Sequence, residues 1–379
     1  MDRKLALLAL TLVLSTMLIR ASSNVISTTL PILAKYYLGF SNLLVGVLSA
    51  IFTVATFVGS AFLVRYSSRV VLVTTLLVYS LSLALLSVVS SLSVWIVTGI
   101  SGVTLGVIMP NLITISGKAE DRRTRERLLN IYALSLSIGL VVGPLIEARL
   151  IPFLGVRGVF LAFALAPLVA IPLLRGASVS SGSGRTTVRN PALTVAILNI
   201  ASYELVFSFL LTFGGIFMRE SFGSSPPEIE IGFSLFFLAS LLTRLILSIS
   251  PVERVSRGVL LSLLLTMTGV VVMIVSRSLV DFMISLTILG IPHGITMPMS
   301  TVVITRGIPP EMRNVANGLF FASLTMIGST TAFLSGIGIT LLGFRDVLLT
   351  ILGLVLLIGV VLMSRVRIVD TWTSRKMNK

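Results

Sequence analysis

The sequence predicts an all-α integral membrane protein with twelve transmembrane helices arranged as two pseudo-symmetric six-helix bundles. Its 379 residues are 55% hydrophobic and 11% charged, with a mean hydropathy of +1.06, whereas an average soluble domain is about a quarter charged. Apolar runs of about 20 residues, long enough to cross a ~30 Å hydrocarbon core, recur along the whole chain. Landmark residues of the first half also return in the second half.

The apolar runs predict helices because backbone that faces lipid must satisfy its own hydrogen bonds. The predicted spans are 5–34, 41–64, 70–91, 93–116, 129–150, 157–174, 193–218, 229–250, 258–276, 279–304, 315–341 and 346–364. The first fifteen residues resemble a signal peptide. Apolar residues nevertheless continue past Arg20 to Pro31 without an obvious cleavage site, so we interpret them as the first span.

Basic residues are unequally divided between the predicted loops. With a cytoplasmic N-terminus, 21 of the 29 Lys and Arg lie inside and six lie outside, which predicts that both termini are cytoplasmic in the plasma membrane. Scattered inner-loop cations also explain the net charge of +15 without nucleic acid. The absence of cysteine and the single histidine exclude a Cys/His metal site and a disulfide framework.

An internal repeat divides the chain. "GVTLGVIMP" at 102–110 and "GIPHGITMP" at 290–298 share the pattern G-x-x-x-G-x-x-M-P at an offset of 188 residues. Gly39 matches Gly223 at an offset of 184 residues. The only long polar, Gly/Ser-rich stretch lies between the copies. We therefore expect an N-terminal bundle at 1–174, a cytoplasmic linker at 175–191, a C-terminal bundle at 192–365 and a cytoplasmic tail at 366–379. Such repeats are typical of secondary transporters with a substrate site between the halves.

Two repeated loops resemble those of the major facilitator superfamily. "SAFLVRYSSR" contains Arg65 and Arg69, and "ISPVERVSR" contains Glu253, Arg254 and Arg257. They are similar to the family's G-x-x-x-D-R-x-G-R loop between the second and third spans of each half. The resemblance covers nearly the whole chain and implies the family's twelve-helix fold. It also implies that these residues latch helices together on the cytoplasmic side.

A motif in the fifth span gives a more specific resemblance. "GLVVGPLIEA" carries Gly139, Gly143 and Pro144 and is similar to a signature associated with antiporters. It implies a role in conformational change, while generic packing glycines remain the alternative. Glu147 follows in the same motif, either as an external gate or as a partner of Arg149. The segments 31–50 and 308–328 resemble the drug:proton antiporter branch, and Arg313 lies in the second of them.

Two charged residues inside spans are the strongest candidates for a central cavity. Arg20 and Glu204 match at an offset of 184, and intramembrane charges usually face a cavity and are paired. We hypothesise that they pair or bracket the substrate, with Glu204 able to exchange a proton. The alternatives are a permanent salt bridge or an Arg that reaches the inner surface. Neighbouring polar residues on the two helices are further cavity candidates: Asn24, Ser27, Tyr203 and Ser208.

Three other polar residues lie in predicted spans. Arg244 is interpreted as a structural or gating residue near the inner latch, and Asn111 as a further cavity candidate. His293 either fills a polar notch or titrates and binds substrate.

The sequence therefore predicts a transporter that works by alternating access and is not an enzyme. Proton-coupled export of drug-like or amphipathic compounds is favoured, with uptake or exchange of an organic anion or sugar as the alternative. No ATP-binding loop of the G-x-x-x-x-G-K-[ST] type is present. The expected partners are a small-molecule substrate, protons and the bilayer, for a functional monomer that needs no cofactor beyond a proton gradient. An intramembrane protease, suggested by "GISG" with Ser101, and a non-transporting sensor are remote alternatives.

Overall fold

The computed structural model describes residues 3–63, 66, 68–116, 122–174, 190–249, 254–309 and 312–377. Within these residues the regular structure is entirely helical. The predicted linker at 175–191 falls almost wholly outside the described residues.

Thirteen α-helices follow one another in the described chain. They are α1 Arg3–Tyr37, α2 Asn42–Val58, α3 Arg69–Leu86, α4 Ser93–Ser116, α5 Arg122–Phe163, α6 Leu165–Leu173, α7 Pro191–Phe209, α8 Gly215–Phe222, α9 Pro226–Ile249, α10 Val255–Val275, α11 Leu279–Gly307, α12 Arg313–Leu342 and α13 Phe344–Met377. Short π-helical turns extend α2 through Gly59–Leu63 and join α7 to α8 through Leu210–Gly214.

The helices form two compact units. The N-terminal unit comprises Met1–Ser183 together with Ser225–Ser234, and the C-terminal unit comprises Gly184–Ser224 with Leu235–Lys379. The first part of α9 therefore packs with the N-terminal unit, where the Ser234 hydroxyl donates to the Val141 carbonyl at 3.0 Å.

Eleven helical stretches in the described chain are long and apolar enough to cross a membrane, compared with the twelve predicted. The difference arises between the predicted fifth and sixth spans, which lie in one 47-residue stretch, Arg127–Leu173. Gly155 interrupts this stretch with φ 68° and ψ 172°, a left-handed backbone that only glycine adopts readily. The sequence marks the two spans, but the joint between them is a single residue rather than a loop.

The G-x-x-x-G repeat packs helices in the same way in both units. A Cβ atom on Gly102 or Gly106 of α4 would lie 2.6 Å from the Phe52 oxygen or 2.1 Å from the Thr56 oxygen, both on α2. In the C-terminal unit, Gly290 and Gly294 of α11 have the same relation to the backbone of α9, at 2.1 Å and 2.8 Å. These glycines let the helix backbones touch, as small residues do in membrane proteins.

The repeat extends to the chain reversals and their caps. All four glycines with positive φ in the described chain fall into two repeat pairs, Gly39 with Gly223 and Gly155 with Gly343. Arg157 donates to the Ser87 carbonyl at 3.3 Å, just after α3, and Arg345 donates to the Ser276 carbonyl at 3.0 Å, just after α10. In each unit, an arginine thus stabilises the C-terminal end of a helix, where carbonyls lack intrahelical partners. The two arginines lie at matching positions of the repeat.

Candidate functional site

The Arg20 guanidinium lies inside the N-terminal unit among tyrosines. Arg20 is half-buried on α1, and its electrostatic neighbours in this unit are the hydroxyl groups of Tyr79 on α3 and Tyr132 on α5. Both tyrosines are buried. Since neutral tyrosines do not balance a positive charge, the cation stays uncompensated by these neighbours, which is costly within a membrane.

Two buried hydroxyl groups extend this polar region. Thr16 lies one turn before Arg20 on α1, and Tyr79 faces the arginine from α3. Within the described part of the chain, the Thr16 hydroxyl has no hydrogen-bond partner, and the Tyr79 hydroxyl has only the Ser22 hydroxyl as a hydrogen-bonding neighbour. Buried polar groups are normally satisfied, so a cation beside these O–H groups matches an anion with several acceptor oxygens.

The span-five glycines bring α5 against the helix that carries Arg20. A Cβ atom on Gly139 would lie 2.9 Å from the Met17 oxygen and 3.0 Å from the Arg20 Cβ, and one on Gly143 would lie 3.1 Å from the Ala21 Cα. Pro144 follows within the same helix. The motif that resembles an antiporter signature therefore acts locally as a helix-packing surface.

A second polar cluster in the N-terminal unit contains two carboxyl groups. Glu147 on α5 and Glu230 on α9 are both 0% exposed. The Thr29 hydroxyl is hydrogen-bonded to the Glu147 Oε2 and lies 3.2 Å from the Glu230 Oε1. The Thr28 hydroxyl lies 3.1 Å from the Glu230 Oε2 and 3.1 Å from the Asn24 carbonyl. One turn of α1 thus holds carboxyl groups from two other segments.

Glu204 occupies a different setting in the C-terminal unit. It is buried on α7, where the Ser208 hydroxyl donates to its Oε1 at 3.2 Å. Gly328 of α12 lies against this pair, since a Cβ atom there would be 2.9 Å from both the Glu204 Oε1 and the Ser208 Oγ. Gly328 follows Gly139 at an offset of 189, so each charged residue faces a glycine of the fifth predicted span in its own half of the chain.

An aromatic cluster surrounds His293 in the C-terminal unit. Phe207 stacks on the His293 ring with centroids 4.4 Å apart, and Tyr203 and Phe236 lie 5.6 Å and 5.3 Å away. The Tyr203 hydroxyl donates to the Leu289 carbonyl at 3.0 Å and lies within electrostatic range of Glu204 and Arg244. Arg244 is half-buried on α9. His293 therefore packs among aromatic rings, and its predicted role in the cavity stays a prediction.

The other predicted site residues have local partners or lie at helix ends. The Ser27 hydroxyl donates to the Ser23 carbonyl at 3.3 Å, and the Asn111 amide donates to the Val107 carbonyl at 2.7 Å. Arg313 donates to the Ile308 and Thr305 carbonyls at 3.0 Å and 2.7 Å, which supports the end of α11. Three arginines of the predicted latch, Arg69, Arg254 and Arg257, are exposed and lie at helix starts. Arg65 and Glu253 of the predicted latch lie outside the described residues.

The remote protease motif has a structural explanation. The Ser101 hydroxyl is buried, and its oxygen lies 2.9 Å from the Ser82 hydroxyl oxygen and 2.9 Å from the Val97 carbonyl oxygen. Across the described residues, no cluster of three or more His, Cys, Asp or Glu could hold a metal ion.

Sequence reasoning did not identify Glu230, Thr29, Thr16 or Tyr79. Glu230 is the second residue of the predicted span 229–250 and was not named as a site residue. Its signal was a carboxyl group followed by an unbroken apolar run, but burial of Glu230 depends on the packing of 225–234 with the N-terminal unit. The hydroxyl residues are common in membrane helices, so their placement is visible only in three dimensions.

Known transporters share this fold. A bacterial homolog of the human lysosomal transporter Spinster, inward-facing and unoccupied, matches with a TM-score of 0.77 and 14% identity over 97% of this chain and 98% of that one. A mutant of the peptide transporter POT with alafosfalin gives 0.78 and 14% identity over 96% and 95%. A mutant of the nucleoside transporter NupG gives 0.76 and 14% over 94% and 99%.

A curated sequence relative matches a shorter stretch. The gallate transporter of Pseudomonas putida is 35% identical over 75 residues, which is 20% of this chain and 17% of that transporter. The family profile described as Major Facilitator Superfamily matches residues 12–218 and again residues 192–378. The two matches repeat the division seen in the glycine contacts, and together they span nearly the whole chain. The chain therefore belongs to the Major Facilitator Superfamily of multi-pass membrane transporters.

Proposed function

We propose that this transporter carries a small organic anion across the plasma membrane by alternating access, together with protons. The observation that carries the proposal is the Arg20 region, where a guanidinium without a described carboxylate neighbour in its unit lies beside the Tyr79 hydroxyl and one turn from the unpartnered Thr16 hydroxyl. Arginine binds carboxylates through two parallel hydrogen bonds. The substrate class named for the relative, gallate, has such a carboxylate.

Proton coupling follows from the charge that is moved. Carrying one negative charge into a negative-inside cell costs about 2.3 kcal/mol per 100 mV, and protons that move in the same direction offset this cost. Glu204 supports the proposal because it is buried and its hydrogen-bond donor among the described residues is the neutral Ser208, so it can accept a proton where a paired carboxylate would not. Both termini are cytoplasmic in this proposal, as the loop charges indicate.

Proton-coupled export of drug-like amphipathic compounds is a second candidate. It is favoured by a mostly apolar cavity of about 380 Å³ in the C-terminal unit, lined by Leu205, Met326, Leu334, Ile351 and Leu354 among others. Such a cavity would take an apolar ring system. The fifth-span motif is the second support for this candidate.

Flux in proteoliposomes separates the two candidates. We expect purified protein to accumulate radiolabelled gallate, and to do so faster when the outside is acidic. Matched vesicles receive an uncharged sugar and a cationic dye as comparison substrates. Transport of the dye without transport of gallate would favour export of amphipathic compounds, and gallate uptake that ignores the pH gradient would contradict the proton coupling.

A further inference from the structure

The Glu147–Glu230 cluster is a buried site that neither the family nor the proposed anion site explains. Both carboxyl groups contact the Thr29 hydroxyl. A hydroxyl has one hydrogen and two lone pairs, so Thr29 can donate to only one of them. A proton on the second carboxyl lets that carboxyl donate to the Thr29 oxygen, so that both contacts become hydrogen bonds.

One proton placed on Glu230 satisfies these contacts. The Thr29 hydroxyl then donates to the Glu147 Oε2. Glu230 then has its Oε1 as an O–H donor toward Thr29 and its Oε2 as an acceptor for Thr28, and both contacts are observed. One proton therefore satisfies every oxygen of this chain of hydrogen bonds except the Glu147 Oε1.

Asn24 provides an independent observation. Its side chain is 3% exposed and neighbours the Glu147 carboxyl. In the described part of the chain, the Glu147 Oε1 has no hydrogen-bond partner. The Asn24 side chain acts on this carboxyl together with Thr29, so neutral donors, and not a cation, surround it.

Among the described residues, no cation acts on the two carboxyl groups. The groups that act on the two carboxyls from α1, α5 and α9 are Asn24, Thr28, Thr29 and the carboxyls themselves. Arg149 on α5 and Glu228 on α9 are exposed. Two ionised carboxylates in this dry setting would repel each other, so a bound proton is the simplest positive ligand.

We propose that Glu147 and Glu230 share one exchangeable proton, with the Thr29 hydroxyl as the bridge between them. When the Glu230 O–H bond breaks, its proton goes to the Thr29 oxygen, and the original Thr29 proton goes to Glu147, so that charge and atoms balance. Release of this proton leaves two carboxylates on one hydroxyl and weakens the attachment of 225–234 to α1 and α5. The inference deepens the proposed proton coupling and rests on it for its role in transport.

Infrared difference spectroscopy of the purified full-length protein tests the site without transport. At neutral pH, the spectrum of wild type minus Glu230→Gln should contain the carbonyl band of a buried protonated carboxylic acid. Glu228→Gln is the matched control, because it removes an exposed carboxyl two residues away and should not remove that band. A difference spectrum that contains only carboxylate bands would overturn the proposal. So would a carboxylic acid band of the same intensity in wild type and in Glu230→Gln.

Thr29 variants keep the test valid where a charge-removing variant fails to fold. Thr29→Val keeps the shape and removes the bridge, so the acid band should shift, whereas Thr29→Ser should restore the wild-type position. Equal spectra for the two variants would overturn the bridging role. Loss of the acid band on adding sodium to choline buffer would identify a metal cation as the ligand and would also overturn the proposal. Gallate uptake by wild type reports separately on the proposed function.

Discussion

The two units carry opposite charges at matching positions of the internal repeat. In the N-terminal unit Arg20 lies against Gly139, and in the C-terminal unit Glu204 lies against Gly328 at a repeat offset of 189. The helix contacts, the turn glycines and the capping arginines recur with offsets of 184 to 189. The repeat thus fixes the backbone, while the side chains at matching positions differ and carry the chemistry.

The comparison also shows a difference in how the charges are supported. Arg20 has tyrosine hydroxyl groups and the Thr16 hydroxyl around it, whereas Glu204 has the Ser208 hydroxyl as donor. The N-terminal unit alone holds the acid cluster of Glu147 and Glu230. We therefore expect anion binding and proton binding to respond to different substitutions.

Glu204→Gln should cause the largest change in energy coupling. A pH gradient of one unit supplies about 1.4 kcal/mol per proton, which is about a tenfold change in accumulation. Wild-type gallate accumulation should rise by up to this factor when the outside is made acidic, and the variant should not respond. The measurement is gallate accumulation in proteoliposomes at two external pH values.

Glu228→Gln provides the control for this coupling experiment. Glu228 is exposed and bonded to Ser225, so its removal should leave the response to pH intact. A Glu204→Gln protein that still follows the gradient would separate Glu204 from proton coupling.

Substitution by alanine should have different effects at the two matched glycines, Gly139 and Gly328. Gly139→Ala meets the fixed backbone of α1, at the Met17 oxygen, and should reduce stability by about 1–3 kcal/mol, the usual cost of overpacking. Gly328→Ala meets the movable ends of Glu204 and Ser208, so it should affect transport more than stability. Thermal unfolding in detergent and flux measure the two effects.

Gly353→Ala is the control for these glycine variants, because no atom lies within 4 Å of the added Cβ. Equal losses of stability at positions 139 and 328 would show that the two charged residues are held equally rigidly, contrary to the comparison.

The smallest effect is expected for the capping arginines. Arg157 donates to two carbonyls, Ser87 and Val89, whereas Arg345 donates to Ser276 alone. Removing a hydrogen bond of this kind costs about 1 kcal/mol. Arg157→Gln should therefore lower the unfolding temperature more than Arg345→Gln, and the reverse order would contradict this assignment.

Much of this organisation could be predicted from sequence because it depends on local patterns. Apolar runs predict the spans, and Gly102 with Gly290 predicts the repeat, since both signals are read along one chain. Glu230 could not be assigned, because its burial depends on a packing partner in a distant part of the sequence. Gly155 was missed as the joint of two spans, since a single left-handed residue leaves no polar loop to recognise.

Equilibrium binding of gallate to the purified protein tests the central claim, that Arg20 binds the anion. Charge-assisted hydrogen bonds contribute about 1.5–3 kcal/mol, so Arg20→Gln should weaken gallate binding by about tenfold to a hundredfold. Arg149→Gln removes an exposed arginine of the same unit and should bind as wild type does. The account predicts this order in calorimetric titrations. Gallate binding of equal strength in wild type and Arg20→Gln, or no binding to wild type, would contradict it.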